Sequence, residues 1–159
     1  MVTKFSRLSV GSLLVLGSMS VSAELLVSDA WIREAPPRAK VMAAYMNLKN
    51  TGSETVRLSP DLSADFERVE IHDMTMDKGM MNMKKMDQLE IAPGQTVSLS
   101  SGGMHVMLFK PSRAMRDGDQ AMIALKMESG ERQELLVKVK KVDGDLSVTQ
   151  DEHSHHHSH

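Results

Sequence analysis

Hydrophobic and polar positions alternate in short runs along most of the chain. Val69 and Ile71 stand against Glu70 and His72, and Met104, Val106 and Leu108 stand against His105 and Met107. A period of two is the mark of a strand with one covered face. Further apolar or alternating runs fall at 25–27, 30–32, 41–48, 55–58, 88–91, 97–99, 121–127 and 135–142. The segments between them are turn or loop compositions, among them Ala35-Pro36-Pro37-Arg38, Asn50-Thr51-Gly52-Ser53, Ala92-Pro93-Gly94-Gln95 and Arg116-Asp117-Gly118-Asp119. No window carries a helical period. The pattern predicts an all-β sandwich of about eight or nine short strands, ending near Val142.

The two ends break this pattern. Lys4 and Arg7 precede an apolar run at 8–16, and Val21-Ser22-Ala23 offers small residues for cleavage. That is the form of an export signal, and the run is too short to span a bilayer. The expected organisation is a cleaved signal at 1–23, a β-sandwich domain at 24–143 and a tail at 144–159. Removing 23 of the 159 residues leaves 136, enough for one domain with a core. No stable membrane insertion is expected once the signal is gone. The tail ends Asp151-Glu152-His153-Ser154-His155-His156-His157-Ser158-His159. With nothing apolar to bury, it reads as disordered. The serines that interrupt it argue against a purification tag.

Charge and cysteine content narrow the function. The whole chain has 19 basic and 21 acidic residues; losing Lys4 and Arg7 leaves 17 against 21, a net −4 with histidine neutral. No basic stripe is present, so nucleic acid is not an expected partner. The chain has no cysteine. Disulfides are therefore absent, and a soft-metal site would have to be built from thioether and imidazole.

The candidate chemistry lies between Glu70 and Met107. His72-Asp73-Met74 and His105-Val106-Met107 each place a histidine two residues before a methionine, and Met74, Met76, Met80, Met81, Met83 and Met86 fall within 13 residues. His72 and His105 are the only histidines outside the tail. In a strand, residues i and i+2 share a face. Both His-x-Met pairs are thereby set opposite the aliphatic face, a repetition that core packing does not require. Thioether and imidazole suit copper(I) before other ions. Thioethers bind at any pH, but an imidazole must be neutral, so affinity should fall as pH drops through the ordinary histidine range, about 6.5. Glu70 and Asp73 flank His72, and either could orient its ring. His153, His155, His156, His157 and His159 are candidates for loose binding of a divalent ion.

From His72, ten residues intervene before Met83, 21 more before His105, and one before Met107. This H-x10-M-x21-H-x-M spacing resembles the signature of the periplasmic copper chaperones called PCuAC. So do the blocks Glu70-Ile71-His72-Asp73-Met74, Gly79-Met80-Met81-Asn82-Met83, Leu89-Glu90-Ile91-Ala92-Pro93-Gly94 and Gly102-Gly103-Met104-His105-Val106-Met107-Leu108. Asp29-Ala30-Trp31-Ile32-Arg33 with Pro37, and Ala43-Ala44-Tyr45-Met46 with Asn50-Thr51-Gly52, extend the likeness from about Asp29 to Val142. The resemblance implies a cupredoxin-like Greek-key β-sandwich in the periplasm, binding one copper(I) through His72, Met83, His105 and Met107. It also implies delivery to haem–copper oxidase assembly, with an oxidase subunit or a Sco-type thioredoxin-fold protein as the acceptor. Some members carry tails that bind copper(II); the tail here has the histidines but no methionine.

Other readings weigh less. A blue-copper site needs a cysteine thiolate, and a hydrolytic triad has no histidine to spare, so an enzyme is not expected. Two alternatives stay open: a module whose Met-rich loop grips peptides, and a protein that sequesters copper through its tail. Trp31, Met42, Met46, Met104, Met115, Met122 and Met127 read as packing residues.

Overall fold

The computed structural model describes residues 25–142. The expected export signal and the histidine tail lie outside the described residues, as do His153, His155, His156, His157 and His159.

Ten strands carry the described chain: β1 (Leu25–Arg33), β2 (Val41–Asn50), β3 (Val56–Pro60), β4 (Phe66–Asp77), β5 (Met80–Met86), β6 (Leu89–Ile91), β7 (Thr96–Leu99), β8 (His105–Pro111), β9 (Gln120–Met127) and β10 (Arg132–Lys140). No helix occurs among the described residues. The count exceeds the expected eight or nine for one reason. The methionine cluster, which shows no clean alternation, forms β5 and the end of β4. The two short runs at 25–27 and 30–32 are one strand, interrupted where Asp29 takes a positive φ of 53° and the register with β2 shifts between Ser28 and Trp31. That is a β-bulge. The Asp29 carboxylate accepts a hydrogen bond from Asn47 Nδ2 at 2.9 Å, which holds the bulge against β2.

Hydrogen bonding runs β5-β4-β8-β2-β1-β10-β9-β3-β6, with β7 added on β2. The edge of β2 is shared: residues 41–44 pair with β8 and residues 46–49 with β7. The first and last strands pair in parallel, Trp31 with Lys138 through Arg33 with Lys140. All other pairs are antiparallel.

The path closes on a single core. Ile32, Ala44, Leu48, Leu58, Ile71, Ile91, Val106, Leu108, Ile123, Leu125 and Val139 are wholly buried and belong to one cluster. Each sits at the apolar phase of its strand, as period-two packing requires. Met42, Met46, Met115 and Met127 are in the core, and Met86 and Met104 pack against it. Trp31 lies on Tyr45 with ring centroids 4.8 Å apart. Asn50 is buried and satisfied: Nδ2 donates to the carbonyls of Glu54 and Ile91, and Oδ1 accepts from the Gly52 amide. It pins the turn after β2 to β6.

Candidate metal centre

β4 and β8 lie side by side with Ile71 opposite Val106 and Val69 opposite Leu108. These four fill the core, so their neighbours in sequence must face outward. The outward face carries Arg68, Glu70 and His72 on β4, and Phe109, Met107 and His105 on β8, in that pairing. Register therefore sets His72 directly across from His105, two residues 33 positions apart in sequence. Their rings are 6.2 Å apart between centroids and tilted by 31°.

Each ring is held by one nitrogen. His72 Nε2 lies 2.8 Å from Glu70 Oε2, and His105 Nδ1 lies 2.9 Å from the Gly103 carbonyl oxygen. A carboxylate or a carbonyl can only accept, so both nitrogens carry the proton. The neutral ring then keeps its lone pair on Nδ1 of His72 and on Nε2 of His105. His72 Nδ1 is buried and has no hydrogen-bond partner. A buried lone pair left unmatched is costly, and a metal ion is a group that would satisfy it. The carboxylate–imidazole pair is the usual support of a metal-bound histidine, fixing tautomer and ring orientation.

Glu70 is itself enclosed. Arg68 Nε lies 2.9 Å from Oε1 and Lys85 Nζ 3.5 Å from the same oxygen. The hydrogen bond from His72, with the charges of Arg68 and Lys85 beside it, holds the Glu70 carboxyl below its ordinary range despite its burial. The Arg68 guanidinium lies over the Phe109 ring, 4.2 Å from its centroid. Arg68, Lys85 and Phe109 were not singled out in the sequence, although Arg68 shares the i, i+2, i+4 phase of Glu70 and His72. The Gly103 carbonyl carries no side-chain signal at all. Asp73 pairs with Lys84 on the opposite face of the hairpin. Of the two acids flanking His72, Glu70 is thus the partner.

His72 is the hub of the four expected ligands. His105 stands opposite it, and Met107 is its diagonal neighbour on β8, beside Glu70. Met83 is its diagonal neighbour on β5, beside Met74. Diagonal neighbours on one face lie about 7–8 Å apart, within reach of long side chains. The structure thus brings His72, His105 and Met107 onto one patch. Met83 stands on the same face but two strands from Met107, and is 51% exposed. The hairpin that carries it turns through Lys78 and Gly79, both at positive φ, 50° and 80°. This is the two-residue loop that matches strand twist. A groove of about 460 Å³, lined in part by Pro36, Arg38, Met42, Lys110 and Met115, opens beyond the far end of β8 from His105 and takes no part in this patch.

Known proteins share this architecture. The LpqE-like family model, described as "Putative lipoprotein LpqE-like", matches residues 25–139. "Putative lipoprotein Lxx21020" from Leifsonia xyli subsp. xyli is 28% identical over 119 residues, 74% of this chain and 70% of its own. Among solved structures, "Copper-bound PCuAC domain from PmoF2" aligns with a TM-score of 0.62 at 22% identity, over 76% of this chain and 97% of that one. "Solution structure of CuI-DR1885 from Deinococcus radiodurans" aligns with a TM-score of 0.61 at 26% identity, over 79% and 83%. The all-β, cupredoxin-like fold expected from the sequence is the fold found.

Proposed function

The chain belongs to the LpqE-like family, and on that premise we propose that it is an exported copper(I) carrier rather than an enzyme. The observation that carries this reading is the buried, unpartnered Nδ1 of His72, across the ladder from His105. Two structures of the same fold are described as copper-bound and as CuI-loaded. The ion would be held by His72, His105 and Met107, with Met83 completing the set by bending inward from the hairpin.

Two neutral imidazoles and two thioethers add no charge to the ion. The site is strong for a soft cation and indifferent to hard ones such as magnesium or calcium. His105 is buried and His72 nearly so, but Met83 is 51% exposed on the hairpin, so an acceptor would begin ligand exchange there. Delivery to haem–copper oxidase assembly, through an oxidase subunit or a Sco-type partner, in the periplasm, is the role this carrier chemistry would serve. The five tail histidines would add a separate copper(II) site.

The test is an anaerobic copper(I) competition titration against a coloured chelator, on the chain ending at Gln150 and on its His72→Ala, His105→Ala variant. One tight ion per chain, lost in the variant, is the expected result. Equal competition by both proteins would remove the site from β4 and β8. A second reading, a peptide-binding module, is favoured by the exposed methionines of the hairpin alone. It would leave His72 and His105 without a role.

A further inference from the structure

The β4–β5 hairpin leaves large apolar side chains in water. Met76 is 74% exposed, Met80 66% and Met81 59%. They are not distributed at random. Met74 is paired with Met83, and Met76 with Met81, on the same ladder that pairs His72 with Lys85. Paired residues share a face, and so do residues two apart. One face of the hairpin therefore reads His72 and Lys85, then Met74 and Met83, then Met76 and Met81. The other face reads Asp73 with Lys84, Thr75 with Asn82, and Asp77 with Met80. Register has sorted the hairpin into a face with four thioethers and a face that holds its acids, its amide and Met80.

We propose that Met74, Met76, Met81 and Met83 form a second soft-metal site, made of thioethers alone, that takes copper(I) or silver(I) and adjoins the His72–His105 site through Met83, the thioether the two would exchange. Paired β-carbons stand about 5 Å apart and same-face neighbours along a strand about 7 Å. Four unbranched side chains with three rotatable bonds each can converge above a patch of that size. The one carboxylate on this face, Glu70, lies on the far side of His72 from the four methionines and is engaged by His72, Arg68 and Lys85, so it offers little to a hard ion at the thioethers. Met83 is the diagonal neighbour of His72 and Met74 follows it by two residues, which makes the two sites contiguous. An ion taken at the exposed end can move inward by exchanging one thioether at a time. The identity of the ion rests on the copper(I) reading above; the placement of the four thioethers does not.

The experiment uses the full chain labelled with [13C-methyl]methionine and titrated with silver(I), a redox-inert probe for a thioether site. The methyl signals of Met76 and Met81 are followed together with the ring signals of His72 and His105. The expected result is that Met76 and Met81 respond, and that they still respond in the His72→Ala, His105→Ala variant. In Met81→Leu, which keeps the apolar surface, the midpoint for Met76 should rise by about tenfold or more, because the ligands act together. If Met76 titrates with an unchanged midpoint in Met81→Leu, it binds silver alone and the site does not exist. If neither methyl moves by three equivalents, the hairpin holds no soft-metal site and the proposal is overturned. Histidine ring signals that stay still while Met76 and Met81 respond would instead remove the copper(I) reading of the central site. Met81 is exposed, so its substitution does not threaten folding.

Discussion

β4 runs through two environments that reverse the usual rule in opposite senses. At Glu70 and His72 its outer face holds polar groups that are largely enclosed: their side chains are 12% and 13% exposed. From Met74 to Asp77 the strand carries methionine into solvent. In the first region each polar atom but one has a partner, and that one is a lone pair suited to a metal. In the second a large apolar side chain stands in water, Met76 at 74% exposed. Neither the unmatched Nδ1 of His72 nor the exposed thioethers lower the free energy of the empty fold, and the energetics of folding alone would select neither. Together they make one continuous patch of nitrogen and sulfur donors. Under the copper(I) reading, both departures from packing logic serve the ion.

The sharpest way to break that comparison is to attack the face that does obey packing logic. Leu108 and Ile71 lie behind Met107 and His72, fully buried. Leu108→Ala should cost about 2–5 kcal/mol of stability in a urea titration, whereas Met76→Ala should stay within about 0.5 kcal/mol. Equal losses would mean that the hairpin methionines are packed after all.

The second effect is on binding. His105→Ala removes a donor and should weaken copper(I) by more than about a hundredfold, beyond the 10–100-fold typical of losing a supporting partner. Stability should change less than for Leu108→Ala, because His105, though buried, lies on the face away from the aliphatic cluster and makes one hydrogen bond, to Gly103. A variant that folds and binds copper(I) unchanged would leave the patch without its central pair.

Most of this was legible in the sequence because the core obeys a period of two. The alternation at 66–72 and 104–109 placed the aliphatic residues inside and both His-x-Met pairs outside. What it could not supply was register. Nothing in the string says that His72 faces His105 rather than Met107; that follows from the pairing of Ile71 with Val106. The β5 strand was missed because methionine, lysine and asparagine do not alternate in hydrophobicity, although Lys78-Gly79 is a turn signal in retrospect. Glu70 and Asp73 looked equivalent in one dimension. The support from the Gly103 carbonyl is backbone chemistry, which no side-chain pattern encodes.

Smaller effects test the support of His72. Glu70→Gln should weaken copper(I) by about 10–100-fold, since a neutral amide orients the ring less well and no longer polarises it. It should also change the acid limb of stability. The Glu70 carboxyl titrates lower in the folded chain than in the unfolded one. Its contribution is therefore fully present above the unfolded carboxyl value, about 4.3, and is lost as pH falls through the depressed folded value. Urea midpoints of the chain and of Glu70→Gln should differ at neutral pH and converge in acid. A gap that widens on acidification would reverse the sign.

The smallest expected effect is the most discriminating. Asp73 is as close to His72 in sequence as any acid can be, and as an isolated charge it would attract a cation as well as Glu70. The structure puts it on the other face, paired with Lys84. Asp73→Asn should therefore leave copper(I) affinity within about twofold, the residue acting only as a screened charge from the other face. If Asp73→Asn instead matched Glu70→Gln, proximity in sequence would matter more than the face a side chain occupies. The separation of the two sides of β4, on which both donor sites depend, would not hold. Near-silence from Asp73 beside a clear loss from Glu70 would tie function to register, by comparing two acids three residues apart on one strand.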